Sequence, residues 1–153
     1  MLLAARYVSA FDKALICHDI LTEFSEAGFM HEGAVSALIG VPGIPSIAED
    51  IAVARDAIIA KYTGAHIHIA HVASKGALEI IRRAKKDGVN ITCEVAVQHL
   101  TLTDEACRGF STATKVSPPL RSREHVEAMR EGLKDGTIDA IVTDHAPHAP
   151  EEK

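Results

Sequence analysis

No block of lysine and arginine, no long apolar run and no paired-cysteine motif occurs in the 153 residues. Acidic residues number 21 against 16 basic ones, for a formal charge of −5. Such a chain lacks the surface that nucleic acid or an anionic membrane recruits. No apolar stretch approaches the roughly 18–20 residues that span a bilayer. Met1–Phe11 lacks the basic start and small-residue cleavage site of a secretory leader. Cys17, Cys93 and Cys107 are odd in number and form no Cys-x-x-Cys, which argues against a disulfide framework or a cysteine-rich zinc site. Reduced thiols in a cytoplasmic protein are the expectation. Tryptophan is absent, as are a P-loop, Gly-x-Gly-x-x-Gly, Gly-x-Ser-x-Gly and His-Glu-x-x-His, so none of the chemistries those motifs carry is signalled. What is present is enough apolar sequence, 47%, for a sizeable core, and nine histidines.

Short apolar runs alternate with amphipathic stretches. Leu3, Tyr7, Ala10 and Phe11 keep a helical spacing, and Ala14–Cys17 reads as a buried strand. Leu21–Gly43 holds at most one helical stretch before the Val41-Pro42-Gly43-Ile44-Pro45 turn. Ser46 opens a helix, with Glu49 completing a capping box and Ile47, Ile51, Ala54 and Ile58 forming its apolar stripe up to Gly64. Ile67–Ala70 is the next strand. Ser74 caps a helix carrying Ala77, Ile80, Ile81 and Ala84, followed by a strand over Val89–Ala96. Ser122 begins a helix with Val126, Met129 and Leu133, and Ile138–Val142 is the last strand. The helices before the last two strands both end in Lys-Asp-Gly, with bases at the negative end of the helix dipole and a glycine to turn the chain. Strand–helix–strand alternation of this kind predicts an α/β fold with a parallel sheet covered by helices, undivided into domains.

Ligand-type residues recur where the strands stop. His18 follows Ala14–Cys17, His71 follows Ile67–Ala70, Asp144 and His145 follow Ile138–Thr143, and Gln98 and His99 come soon after Val89–Ala96. Carboxyl ends of parallel strands converge on one rim, so His18, His71 and Asp144 are placed to meet. Two imidazoles and a carboxylate suit a zinc-like ion with an open position. A single histidine at a strand end is commonly just a hydrogen-bonded edge residue; three ligand-bearing ends strengthen the metal reading. Period-two alternation puts His66 and His68 on the face opposite His71, as packing or solvated residues. His125 is expected to be exposed. His31 remains a ligand candidate without a zinc helix motif. Ser117-Pro118-Pro119-Leu120-Arg121 is a rigid turn, either a loop brace or a substrate-contacting loop with Arg121 near an anion.

Thr143-Asp144-His145-Ala146-Pro147-His148, with His71-Val72-Ala73-Ser74, Met30-His31-Glu32-Gly33 and Ser117-Pro118-Pro119-Leu120-Arg121, resembles the dihydroorotases of the metal-dependent amidohydrolase superfamily over nearly the whole chain. The resemblance implies a (β/α)8 barrel, of which residues 1–153 would be the C-terminal half, about strands five to eight. A whole barrel of this type needs about 250 residues, and the family's first-strand His-x-His, substrate-binding arginine and bridging carboxylate or carboxylated lysine have no counterpart here. His18 and His71 resemble the metal-binding histidines of the fifth and sixth strands. Asp144 resembles the catalytic, metal-binding aspartate of the eighth, and His148 and Ser117 stand at substrate-binding positions. One or two zinc ions are implied as cofactor in the complete enzyme. The implied reaction is the reversible cyclisation of N-carbamoyl-L-aspartate to L-dihydroorotate in pyrimidine biosynthesis, with the isolated chain inactive. Hydantoinases, dihydropyrimidinases and allantoinases share the barrel. A non-catalytic half-barrel that self-associates or is completed by another chain is the remaining alternative. The pattern departs at Asp19-Ile20-Leu21, where His-Cys-Glu-Asp is usual from His18 onward, at Ser117 in place of an asparagine, and at Gln98 in place of a histidine.

Overall fold

The structure is a computed structural model that describes residues 1–149. Helix α1 (Leu2–Val8), extended by a 3-10 turn over Ser9–Phe11, leads into strand β1 (Ala14–Cys17). Then follow α2 (Thr22–Ser25), β2 (Met30–His31), α3 (Ala34–Ile39), β3 (Gly43–Ile44) and the long α4 (Ile47–Thr63). Strand β4 (His66–Ile69), α5 (Lys75–Lys86), β5 (Ile91–Ala96), α6 (Val97–Thr101), α7 (Arg123–Lys134) and β6 (Ala140–Val142) complete the order. Strands β1, β4, β5 and β6 make one sheet in that spatial order, and every pairing in it is parallel. The expected α/β fold is therefore what forms.

Local chemistry explains most boundaries. Ser74 accepts a hydrogen bond from the Ala77 N–H and caps α5. Gly88 and Gly136 close α5 and α7 at φ 75° and 77°, the left-handed conformation that glycine adopts without strain. Between Leu21 and Gly43 the chain holds two short helices and not one, and the proline-rich turn contains β3, which pairs with β2.

Two expectations for α4 fail. Ser46 makes no side-chain cap because its own backbone is already helical, at φ −63° and ψ −27°, and the Glu49 carboxylate that would complete the box is engaged by the N–H groups of Ala73 and Ser74. The isoleucine stripe also faces outward: Ile47, Ile51 and Ile58 are exposed, while Ala48, Ala52, Val53, Ala57 and Ala60 are buried. Helix α4 is apolar on two sides, and its alanine side permits the closer approach to the sheet and to α5.

Neighbouring residues in a parallel register share a face, so the sheet divides cleanly. Leu15, Cys17, Ile67, Ile69, Ile91, Cys93 and Val95 turn toward the helices, meeting Val53, Leu78, Ile81 and Met129 in one core. Full burial of each large aliphatic side chain there contributes about 1.5–3 kcal/mol. The opposite face carries Ala14, Ile16, His66, His68, Thr92, Glu94 and Ala140, and Ile16 is 69% exposed on it. His66 Nε2 and His68 Nδ1 lie 2.8 and 2.7 Å from the Thr92 hydroxyl, and His68 Nε2 lies 3.1 Å from Glu94. The alternation placed these histidines correctly, but they are members of a ladder and not loose packing. With neutral imidazoles the ladder has one polarity. Glu94 only accepts, so His68 gives it Nε2–H; His68 Nδ1 then accepts from Thr92, whose oxygen accepts from His66.

Candidate active site

The carboxyl ends of β1, β4 and β6 place His18, His71 and Asp144 on the same edge of the sheet. All three line one cleft of about 540 Å³, together with Gln98 from α6, Ser117 and His148. His18 Nδ1 and His71 Nε2 face each other at 3.0 Å, their rings nearly perpendicular. His18 Nε2 lies 3.4 Å from the Ser117 hydroxyl, and His148 Nδ1 donates to its neighbour's carbonyl, Ala146 O, at 2.6 Å. The Ser117–Pro118 peptide is cis.

Backbone strain coincides with the cleft. Four non-glycine residues have positive φ among the described residues, and two of them are His71 at 37° and Asp144 at 50°. A β-carbon is disfavoured there, and such conformations persist only where the surroundings impose them. Burial lowers the His18 pKa first and the adjacent His71 lowers it further, against the opposing pull of Asp144. The balance disfavours the charged imidazole, and the neutral form is the one that can donate a lone pair to a cation.

The donor set partly fits a metal. Two tetrahedral zinc ligands at about 2.0–2.1 Å stand roughly 3.3 Å apart, a little more than the 3.0 Å between the facing imidazole nitrogens, and His71 Nδ1 is buried without a partner. Asp144 lines the same cleft, but no three His, Cys, Asp or Glu side chains are gathered closely enough to hold an ion among the described residues. Two imidazoles face each other, and Asp144 lines the cleft without joining them.

Surrounding residues explain how the rim is held. Asp19, next to His18, is buried beside Asp56, with Arg55 3.4 Å away. Burial and the second carboxylate push the Asp19 pKa up to about 8. The departure from the usual motif after His18 is thus an anchor behind the cleft. His99 is buried with Nε2 donating to Pro118 O at 3.0 Å, bracing the turn that carries Ser117.

Burial pushes the His99 pKa down to about 4 from 6.5, with the bond to Pro118 opposing. Below pH 6.5 the unfolded chain takes up a proton that the folded chain refuses, so stability falls as pH drops from 6.5 to 4 and is complete above that window. The loss reaches about 3 kcal/mol at the acid end. A His99→Gln chain keeps a donor for Pro118 without the titration. Its urea midpoint is expected to fall less than the parent's between pH 7 and 4.5; superimposable pH dependences would refute the assignment.

One alternative is decided and two other readings need correction. Arg121 is 1% exposed and bonds Ile44 O and Glu49, so it is the loop brace and does not reach the cleft. His31 is buried against Arg121, meets the His125 ring edge to face, and does not line the cleft of His18 and His71. His125 is half-buried and accepts the Lys75 N–H at 2.9 Å, so it is not a free surface group. Residues that sequence reasoning did not single out also line the cleft: Phe29, Ile44 and Lys115, the last with its ammonium 5.4 Å from the Phe29 ring centre. Phe29 and Lys115 come from loops and Ile44 from the two-residue strand β3, none of which carries a periodic signal.

Residues 2–77 match a family described as dihydro-orotase-like. Over 150 residues the chain is 55% identical to a dihydroorotase of Syntrophus aciditrophicus and 54% identical to one of Acetivibrio thermocellus; each match covers 98% of this chain and 35% of the relative. Among solved structures, a D-hydantoinase (dihydropyrimidinase) from Thermus sp. superposes with a TM-score of 0.82 at 23% identity, over 99% of this chain and 34% of that one. An L-hydantoinase from Arthrobacter aurescens gives 0.82 at 24%, over 99% and 34%. The chain spans about a third of the length of these proteins, and the structural likeness speaks to fold. The chain thus carries the dihydro-orotase-like match over residues 2–77 and is more than half identical to dihydroorotases along almost all of its residues.

Proposed function

We propose that the cleft is the reactive centre of a dihydroorotase-like cyclic amide hydrolase, acting between N-carbamoyl-L-aspartate and L-dihydroorotate, and that β1, β4, β5 and β6 correspond to about strands five to eight of a (β/α)8 barrel. The observation that carries this reading is the convergence on one cleft of His18, His71 and Asp144, placed by their strand ends, with His148 and Ser117, which the resemblance implied. His18 and His71 would hold a zinc-like ion, with Asp144 completing the set. Such an ion, when bound, polarises the scissile carbonyl and acidifies water. Asp144 takes the proton of the attacking water and returns it to the ring nitrogen as that bond breaks. Ser117 and His148 orient the ring across the cleft, and the His99–Pro118 bond holds Ser117 in place.

The open sheet face, with Ile16 exposed, favours a covering partner, either further barrel strands or a second copy. Among the described residues no helix is long and apolar enough to cross a membrane. The free cysteines suit a reducing compartment such as the cytoplasm.

The test is an exchange. The 150 matched residues of the Syntrophus aciditrophicus dihydroorotase are replaced by those of this chain, and turnover is measured on dihydroorotate and on a hydantoin. Retained turnover of dihydroorotate, lost on His18→Ala or His71→Ala, is the expected result. A folded, zinc-loaded chimera that prefers the hydantoin would move the assignment to the hydantoinases; one inactive on both would remove it.

A further inference from the structure

We infer that Glu49 and Arg121 are a positioning pair for the cleft, which ties the backbone just past His71 to the loop just past Ser117. The inference rests on the cleft being the reactive centre. Glu49, on the first turn of α4, is 1% exposed. Its Oε1 accepts the N–H groups of Ala73 and Ser74 at 2.7 and 3.0 Å, two and three residues beyond the strained His71. Its Oε2 faces Arg121 Nη2 at 3.4 Å. Arg121 in turn donates Nη1 to Ile44 O at 2.9 Å, and its own carbonyl accepts the Asp104 N–H.

The neighbouring turn repeats the grip. Asp50 receives the Ser74 hydroxyl, and a β-carbon on Gly76 would overlap the Asp50 carboxylate, so α4 and the start of α5 meet without slack. A left-handed histidine needs external support, and two N–H groups drawn onto one buried oxygen supply it. The same oxygen's carboxylate carries the constraint across to Arg121, four residues from Ser117. The spacing between the imidazoles and the Ser117 hydroxyl is therefore set from behind, by groups that touch neither substrate nor metal.

The chemistry distinguishes positioning from mere stability. A glutamine at 49 keeps an oxygen for both N–H groups but loses the charge and turns its NH2 toward Arg121, so it isolates the grip on the His71 side; a leucine loses oxygen and charge together. The experiment records imidazole ¹⁵N signals of the full chain without metal, and Zn²⁺ affinity by calorimetry, for Glu49→Gln and Glu49→Leu. Glu49→Leu is expected to move the His18 and His71 signals, to leave those of His66 and His68 in place, and to weaken Zn²⁺ binding ten- to a hundredfold, the scale of lost outer-shell support. Glu49→Gln is expected to hold both readouts close to the parent, within about threefold in affinity on that scale. If the leucine variant does not fold, Glu49→Leu with Arg121→Met replaces the buried pair by apolar groups, and the same displacement of His71 is expected from it. A folded leucine or double variant with unmoved His71 signals overturns the inference, as does an affinity that tracks melting temperature alike in both single variants. Absence of Zn²⁺ binding that His18→Ala abolishes would instead count against the metal reading, and the imidazole signals alone then decide the role of Glu49.

Discussion

Within the dihydroorotase chimera, Asp144→Asn is expected to slow turnover of dihydroorotate by about 10²–10⁴-fold, the contribution of a positioned general acid–base group. Asparagine preserves size and the capacity to accept a hydrogen bond, so the cleft keeps its shape while losing the group that takes and returns the proton. The loss should fall on kcat more than on KM, because the proton is moved in the transition state and not on binding. Metal content, measured on the same preparations, separates this from a failure to load zinc. Retention of activity within tenfold at full metal content would show that Asp144 is not the proton carrier.

The second large effect concerns stability. Arg121→Met leaves the Glu49 carboxylate buried without its cation. Burial already raises the Glu49 pKa, with Arg121 and the two N–H groups opposing. Breaking a buried pair from one side costs about 3–5 kcal/mol, a large share of the roughly 5–15 kcal/mol that holds a domain folded. A fall in melting temperature of roughly 10 °C is expected for a chain of this size. Removing both partners, with leucine at 49 and methionine at 121, should recover part of that loss, because no charge is left stranded although the Ala73 and Ser74 N–H groups lose their acceptor. Urea and thermal titrations of the single and double variants check the sign. A double variant no more stable than Arg121→Met would show that packing around the guanidinium, and not the charge, carries the effect.

Features set by short-range chemistry were legible in the residues. Ser74 as a cap, Gly88 and Gly136 as helix stops, and the run Ala14–Cys17 as a strand depend on neighbours a few positions away, although that strand is buried at Cys17 alone and not along its length, because its other face is open. The meeting of His18 with His71 was legible for a different reason: parallel strands bring their carboxyl ends to one edge whatever the intervening loops do.

What escaped was partner choice between distant segments. Glu49 sits where a capping box puts its acid, yet its carboxylate lies against Ala73 and Ser74, 24 and 25 residues away. Helix α4 offers isoleucines on one side and alanines on another, and a periodic pattern weights the larger side chains, whereas packing chose the side that lets backbones approach. For Arg121, a brace and an anion contact draw on the same functional group, and burial alone separates them. His125 looked exposed because its helix is charged, but the Lys75 amide it meets belongs to α5.

The His66–Thr92–His68–Glu94 ladder also bears on how the sheet chooses its alignment. Strands β4 and β5 are rich in aliphatic residues, and apolar contact by itself discriminates poorly between neighbouring alignments. Sliding β5 by one residue would bring Ile91 or Cys93 opposite His68 in place of Thr92, and every side chain of the strand would change faces. Two imidazoles would then confront hydrocarbon or a thiol, and Glu94 would be carried into the helix-facing core, where an unpaired carboxylate is costly. The ladder thus works as a key for strand pairing: it adds little to the depth of the correct minimum and raises the energy of the nearest wrong ones.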